Sequence, residues 1–545
     1  MSNPIKSFVS WLGIKHTVAL IVVIYLVALA TGGFVLAIGA AAEWLASTAV
    51  LTKAVIALAI LVIAGMIYWG YRAMKSGSGG VEEDEVSKAL KIRKTGRAGL
   101  KVVALFIGAL ILLGIIGGIQ GMFVAAASGA RLMGEAKHLE EPIPVVMTRI
   151  IPLKTAYANA LSRLTIPTHT LFWDETSILY DGNKAVFGWL VEPEGGVNSF
   201  FMRPLGAILF DGSDYPFNNT FIKHELVWGL HNLVFTPLYI DSLSRHIKLG
   251  CMWCKPLYSD IVIAPLRGRL YVLIPLEGWE TGPDTSIPYL AAYAVVSEDG
   301  EVRVVPKDKL WNDPVMGEAL RTYRIPVVPE TVAREWVEAM RWAPGVIATA
   351  VMHATFEIRD VGANPQPYLV FDDDGNLWWL FVAEPSGESY AVKYLIYVNA
   401  SSPEPDIRIY EPREQLIGPS RIANYVMKAH PTFDWSLFEL AEPIPVIVNG
   451  TLYWKVTIIT SDGRGVVSID LVDARTGTVN SIPVKEGLTA EEFLREVYGV
   501  ANQTGGAGGS VLEQIRQLKR RVQELINELQ AILEELERLE ESVGG

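Results

Sequence analysis

Two clusters in this chain have the residue types of reactive sites. Cys251-Met252-Trp253-Cys254 is a C-x-x-C that uses both cysteines of the 545-residue sequence. Paired thiols at this spacing can cycle between dithiol and disulfide, but redox motifs of this kind open a helix after a strand. Here the pair leads into Lys255-Pro256 in a strand-rich stretch, so a local structural disulfide is expected. His224, His231 and His246 lie just upstream and, with the thiolates, would make a soft-metal ligand set. His224-Glu225 lacks the second histidine, four residues on, that a zinc-protease helix requires. Surface and capping roles are therefore expected for the histidines.

Three further features are weighed the same way. Asp372-Asp373-Asp374-Gly375-Asn376 begins like a calcium loop, without the alternating oxygen ligands or the closing bidentate Glu, and reads as a hairpin turn. Trp189, Trp378, Trp379 and Trp454 have ring faces suited to sugars, though on strands they are expected in the core. No G-x-S-x-G, P-loop, G-x-G-x-x-G or paired Cys-His zinc motif is present. The expectation is no catalytic, cofactor-binding or metal residues, no cofactor, and a chain that is not an enzyme.

The elements that would position any site begin with three apolar runs, at 17–42, 54–71 and 102–127. About 20 apolar residues at 1.5 Å rise span a hydrocarbon core of about 30 Å, so the runs predict three membrane helices in contact with lipid. Basic residues crowd 72–101, which the positive-inside rule makes a cytoplasmic loop; the N-terminus is then inside and everything beyond about 130 extracytoplasmic. Four N-x-S/T tripeptides, at Asn218, Asn399, Asn449 and Asn502, fall on that outer side and make a glycoprotein an expectation. Gly114, Gly117, Gly118 and Gly121 supply small-xxx-small spacing for helix packing in the third span. Gln120 is the strongly polar side chain there, and the lack of intramembrane acids or bases disfavours transport.

The net charge of −12, with bases concentrated near the apolar runs, argues against a nucleic-acid partner. Beyond residue 130 the chain reads as repeats at about 151–212, 220–307, 329–413 and 418–485, within an α+β region 131–500. Asp181-Gly182-Asn183 and Asp374-Gly375-Asn376 each precede an aromatic strand with an E-P-x-G exit at Glu192 and Glu384. Arg267-Gly268 and Asn449-Gly450 start looser copies. Asn-Gly and Asp-Gly between alternating strands signal hairpins. Helical stretches precede several copies, giving a helix packed on an antiparallel meander. This plan resembles PepSY-type modules, small extracytoplasmic domains that occur in tandem on membrane-anchored proteins. The resemblance implies a binding, inhibitory or scaffolding role and carries over no catalytic residue.

The tail is a heptad repeat. After a flexible linker at 501–510, apolar residues fall at Ile515, Leu518, Val522, Leu525, Leu529, Ile532, Leu536 and Leu539 in 4-3 spacing, a coiled coil over 511–543. The fold class expected is thus three membrane helices, extracytoplasmic tandem α+β repeats and a coiled coil. The function expected is a membrane-anchored, self-associating structural or interaction protein that displays binding modules for a surface protein or glycan. Low cysteine and a Val/Ile-rich character suit an archaeal or other prokaryotic surface. The alternatives are an oligomeric receptor or channel, and a thiol-redox or metal-dependent enzyme centred on Cys251 and Cys254.

Overall fold

The computed structural model describes residues 117–504, apart from short gaps at 147–148, 183, 196–197, 199–201, 231–232, 236–239, 354, 361–365, 373, 388 and 449, together with 33–49 and a few isolated positions before 117. The coiled-coil positions Ile515 to Leu539 lie outside the described residues, as do the basic segment 72–101 and nearly all of the run 54–71.

Four antiparallel sheets dominate, and each contains a four-stranded meander. The first comprises β1 (Ser177–Asp181), β2 (Lys184–Leu190), β3 (Gly206–Asp211) and β4 (Asn219–Lys223). The second comprises β5 (Val262–Leu266), β6 (Arg269–Thr281), β7 (Ser286–Ser297) and β8 (Val302–Pro306). In the third are β9 (Tyr368–Asp372), β10 (Leu377–Pro385), β11 (Tyr394–Asn399) and β12 (Ile407–Tyr410); in the fourth, β13 (Phe438–Val448), β14 (Thr451–Thr460), β15 (Val466–Asp473) and β16 (Val479–Pro483). The seven helices that matter here are α1 (Gly33–Ser47), α2 (117–135), α3 (Leu153–Arg163), α4 (Leu243–Gly250), α5 (Glu330–Met340), α6 (Pro419–Ala429) and α7 (Ala490–Thr504). Helices α3, α4, α5 and α6 precede the four meanders in turn, so each unit is one helix followed by four strands.

Local chemistry sets the meanders. Arg267 and Gly268 both have positive φ, 51° and 76°, the backbone of a two-residue hairpin turn whose twist matches its strands. Gly182 and Gly450 take φ of 58° and 73° in the corresponding turns of the first and fourth sheets. Asp372 closes its turn by accepting the backbone N–H groups of Asp374 and Asn376 at 3.0 and 2.8 Å, an Asx arrangement that occupies its carboxylate. Two short flanking strands border the third sheet: Lys137–Leu139 runs parallel to β12, and Val145–Val146 pairs with β9.

Packing between units follows from period-2 alternation. On β14, Leu452, Trp454, Val456 and Ile458 enter one core with Trp378, Leu380 and Val382 of β10. The alternate residues Tyr453 and Ile459 enter another with Phe187, Trp189, Ile208 and Phe210 of the first sheet. The other face of the first sheet, through Leu190 and Ala207, meets Ile263, Val272 and Ile274 of the second. The remaining face of the third sheet packs Trp379 and Phe381 against Val332, Trp336 and Val337 of α5. The spatial order of the sheets is therefore second, first, fourth, third. Inner strands are covered on both faces, so β10 starts with an unbroken apolar run and β14 reads as largely apolar, interrupted at Lys455. Fully burying one such large side chain contributes about 1.5–3 kcal/mol.

The membrane assignment is corrected. Among the described residues, no helix is long and apolar enough to cross a membrane. The fold is multi-sheet α+β, and a three-span membrane class, with its transmembrane-helix and membrane-protein labels, is not supported. Helix α1 covers the described end of the first apolar run and extends past it to Ser47. It stops where the Ser47 and Thr48 hydroxyls turn back to the Trp44 carbonyl. Its end is fixed to protein: Ser286 Oγ donates to the Ser47 carbonyl at 2.5 Å, and the Ser286 N–H donates to Ser128 Oγ of α2 at 3.0 Å. The misreading rests on apolar length, which records a need for burial and not the medium that supplies it; in the described parts of these runs Ala42 is buried, whereas Ile38, Ile119 and Phe123 are exposed.

Glycines in α2 meet different surroundings. Among the described residues, Gly117, Gly118 and Gly121 have no neighbour within 4 Å of an added Cβ, whereas a Cβ on Gly129 would stand 2.0 Å from the Ala339 carbonyl oxygen of α5. Gly114 lies outside the described residues. Replacing Gly129 with valine is therefore expected to force α2 off α5 and destabilise by about 1–3 kcal/mol. Urea denaturation checks this, with Gly134→Val, where the space is open, as the control expected to change little.

Candidate functional site

An open cleft of about 690 Å³ separates α3 from the β14–β15 turn, lined by Lys154, Tyr157, Ala158, Leu161, Ser162, Trp173, Asp462 and Arg464. That volume lies in the range of small-molecule and peptide pockets. Its wall comes from the first unit and its rim from the fourth. Tyr157 stands edge-on to Trp173 with ring centroids 5.2 Å apart, and its hydroxyl donates to the Leu171 carbonyl at 2.8 Å. Burial, with the nearby Asp174 charge, pushes the Tyr157 pKa up, which keeps the phenol neutral. Leu161 continues the apolar surface into solvent.

The opposite rim is a tight turn. Thr460 Oγ donates to Asp462 Oδ1 at 2.6 Å, and the same oxygen accepts the Arg464 N–H at 3.1 Å. These bonds, the Thr460 hydroxyl first, hold the Asp462 carboxyl below its ordinary range. Asn159 of α3 donates to the Arg464 carbonyl at 2.9 Å across 305 positions of sequence, so turn and helix hold a fixed separation. Lys154 Nζ is paired with Glu439 Oε1 at 2.5 Å, while the Arg464 side chain is exposed at the rim. The cleft thus offers an aromatic and aliphatic floor beside two cations, one already paired and one presented to solvent.

Behind this wall lies a buried charge cluster. Glu442 Oε2 pairs with Arg149 Nη2 at 2.9 Å, and Glu442 Oε1 accepts the Leu153 N–H at 2.7 Å, at the first turn of α3. A carboxylate there answers an otherwise orphan helix donor and the positive end of the helix dipole. Lys455 Nζ donates to the Arg149 carbonyl at 2.8 Å. Both cations also lie over rings, Arg149 5.3 Å from Phe187 and Lys455 6.0 Å from Phe493. Glu442 occurs at a register break in β13 with φ of 50°, an uncommon conformation for a side chain of its size. The helix that lines the cleft is held at its base by this cluster.

A second buried acid, Glu277 on β6, pairs with Lys255 Nζ at 2.9 Å. Burial, reinforced by the charge of Glu335, pushes its pKa up to about 8. The same contact raises Lys255, whose ammonium is partly exposed and retains water. The two shifts favour charge on the lysine and oppose it on the glutamate, because only the glutamate is fully desolvated.

One constellation has the residue types of a nucleophilic triad without its geometry. His430, at the end of α6, meets Asp470 Oδ2 at 2.7 Å and Ser481 Oγ at 3.3 Å, both through Nε2. A triad places acid and nucleophile on opposite ring nitrogens so that a proton can pass between them. Here both converge on one nitrogen, and the histidine clamps α6 to β15 and β16.

The residues singled out in the sequence occupy other places. Cys251 and Cys254 are joined in a disulfide. His224 Nδ1 bonds Glu298 at 3.0 Å and His246 Nε2 bonds Asp241 at 3.0 Å, so neither turns toward the cysteines; His231 lies outside the described residues. Trp189, Trp378, Trp379 and Trp454 are buried, and their indole N–H groups donate to Thr176, Asp372, Val328 and Ile417. Their faces belong to the cores between sheets. Asn218 is exposed before β4, whereas the Asn399 side chain accepts the Ser401 N–H at 2.9 Å. Asn449 lies outside the described residues, and Asn502 falls in α7, which runs to Thr504 through part of the expected linker. Tyr157, Trp173 and Arg464 carried no sequence signal, because the cleft joins segments about 300 positions apart. No protein-family model matches this chain, and no curated protein matches it.

Proposed function

We propose that this chain is an interaction protein whose cleft between α3 and the β14–β15 turn takes a ligand carrying an apolar or aromatic group next to an anion. The carrying observation is the pairing of the Tyr157–Trp173–Leu161 surface with the exposed Arg464 guanidinium across one cleft. An acidic peptide with an aromatic residue fits that chemistry, with Trp173 as the stacking surface and Arg464 as the anion contact. The fourfold helix-and-meander plan, which resembles PepSY-type modules, supports a binding or scaffolding role. A disulfide suits an oxidising, extracytoplasmic setting. The heptad at 511–543 supports homo-oligomerisation, which would multiply the clefts and raise avidity.

The test is an immobilised array of short peptides that pair an aromatic residue with an acidic one. Peptides retained by the full chain are expected to lose about tenfold or more in affinity to Trp173→Ala and to Arg464→Glu, the range of an interface hot spot. Retention unaffected by both changes would remove the cleft as the binding site.

A further inference from the structure

Helix α1 meets the second unit at α4 and β6, and Lys248 in the last turn of α4 lies at the centre of that junction. Lys248 is buried, with its side chain 7% exposed, and its Nζ donates to two groups. One is Glu43 Oε2 on α1 at 2.5 Å; the other is the Cys254 carbonyl at 2.7 Å. The stem of Lys248 fills the space beside α1 so closely that a Cβ on Gly39 would stand 2.9 Å from its Cδ.

The Cys254 carbonyl belongs to the loop that the Cys251–Cys254 disulfide closes. Within that loop the Cys254 N–H to Cys251 carbonyl contact is long, 3.4 Å, so the covalent bridge constrains the carbonyl from the loop side, while the pairing of Lys255 with Glu277 on β6 holds the chain on its other side. The loop is reachable: Trp253 at its tip is 58% exposed and Cys251 is half-buried, while Cys254 is buried.

The geometry points to a thiol-controlled latch, in which the redox state of Cys251–Cys254 decides through Lys248 whether α1 stays docked on the second unit. A dithiol reductant supplies the electrons. Its thiolate attacks the more accessible Cys251 sulfur, the Sγ–Sγ bond breaks, and Cys254 departs as the thiolate. The second thiol of the reductant then attacks the mixed disulfide and releases Cys251. Both cysteines take up a proton, and the reductant leaves as its own disulfide, so two electrons and two protons are transferred. Positive charge from the Lys248 ammonium, bonded to the Cys254 carbonyl, lies beside the departing residue. Once the loop is open, the carbonyl loses one of the two constraints that aim it at Lys248. A buried ammonium that loses one of two partners is poorly compensated, and its grip on Glu43 and α1 weakens.

Hydrogen exchange on the full chain tests this, before and after treatment with dithiothreitol, with alkylation and mass measurement confirming two free thiols. The backbone amides of α1 are expected to exchange about tenfold faster or more after reduction, while those of β13 to β16 keep their protection. Cys251→Ser/Cys254→Ser should reproduce the reduced pattern without reductant. Lys248→Met, which keeps the stem and removes both donations, should free α1 with the disulfide intact. Unchanged α1 exchange in fully alkylated protein would overturn the latch. So would full α1 protection in Lys248→Met, a result that does not depend on the serine variant folding.

Discussion

Replacing Glu442 with alanine is expected to lower the unfolding free energy by about 3–5 kcal/mol, the cost of breaking a buried ion pair by removing one partner. Both members are almost wholly buried, Arg149 at 4% and Glu442 at 0% side-chain exposure. The change strands the Arg149 guanidinium, whose Nε already has no hydrogen-bond partner, and orphans the Leu153 N–H at the start of α3. Alanine relieves nothing in exchange, because it too has a Cβ at positive φ. Urea denaturation followed by tryptophan fluorescence measures the loss. Glu442→Gln should recover part of it by preserving an acceptor for Leu153. A loss below about 1 kcal/mol, the size of an exposed ion pair, would mean that this cluster is not the base on which the cleft wall stands. If it is that base, peptide retention should fall with stability, although Glu442 touches no ligand.

Lys455 is expected to make a contribution to stability that rises with pH above neutrality. Complete burial pushes its pKa down to about 7, with the Glu442 charge opposing that shift and the Arg149 charge adding to it. In the unfolded chain the amine titrates near 10.4. Between those values the unfolded state holds a proton that the folded state has released, so unfolding takes up a proton and the folded state gains with pH. The slope approaches about 1.4 kcal/mol per pH unit, which amounts to about 2 kcal/mol between pH 7 and pH 9. Below pH 7 both states are protonated and this contribution is flat. Glu277 and Glu330, both pushed up to about 8 by burial, act with the opposite sign: from the unfolded value near 4.3 up to about 8 the folded state keeps protons that the unfolded state has lost, and stability falls, which offsets the lysine between pH 7 and pH 8. The difference between wild type and Lys455→Met isolates the lysine. The wild-type urea midpoint should gain on that of the variant from pH 7 to pH 9. Parallel profiles would show that Lys455 remains protonated in the fold.

Both predictions concern residues that the sequence presents as ordinary. Lys455 interrupts an apolar strand in the run TLYWKVTIIT, and Glu442 lies in a strand beside Pro443; alternation identifies them only as candidates for one face of a sheet. What makes them consequential is that this face of β14 is covered by the first unit, a contact between segments about 300 residues apart. The cleft has the same origin. A helix beginning near 155 and a turn at Ser461-Asp462-Gly463-Arg464 are each readable locally, but their facing one another is not. Trp189, Trp378, Trp379 and Trp454 show the reverse case, in which residue type and strand position suffice, because a large apolar ring between two sheets gains more from burial than from any surface role.

The apolar runs in the first quarter mark the limit of such reading. Hydrophobic length states how much surface must leave water, and both a bilayer and a protein interior can meet that demand. The end of α1 is fixed by Lys248 and Ser286, neither of which is near it in sequence. By itself, the sequence determined local conformation: the positive-φ turns, the alternating strands and the helices between them, because these depend on neighbours a few residues away. Only the tertiary structure decided the order in which the sheets stack, which charges are sealed between them and where a cleft remains open. Those outcomes depend on complementary faces meeting across hundreds of residues, and no local pattern encodes which face meets which.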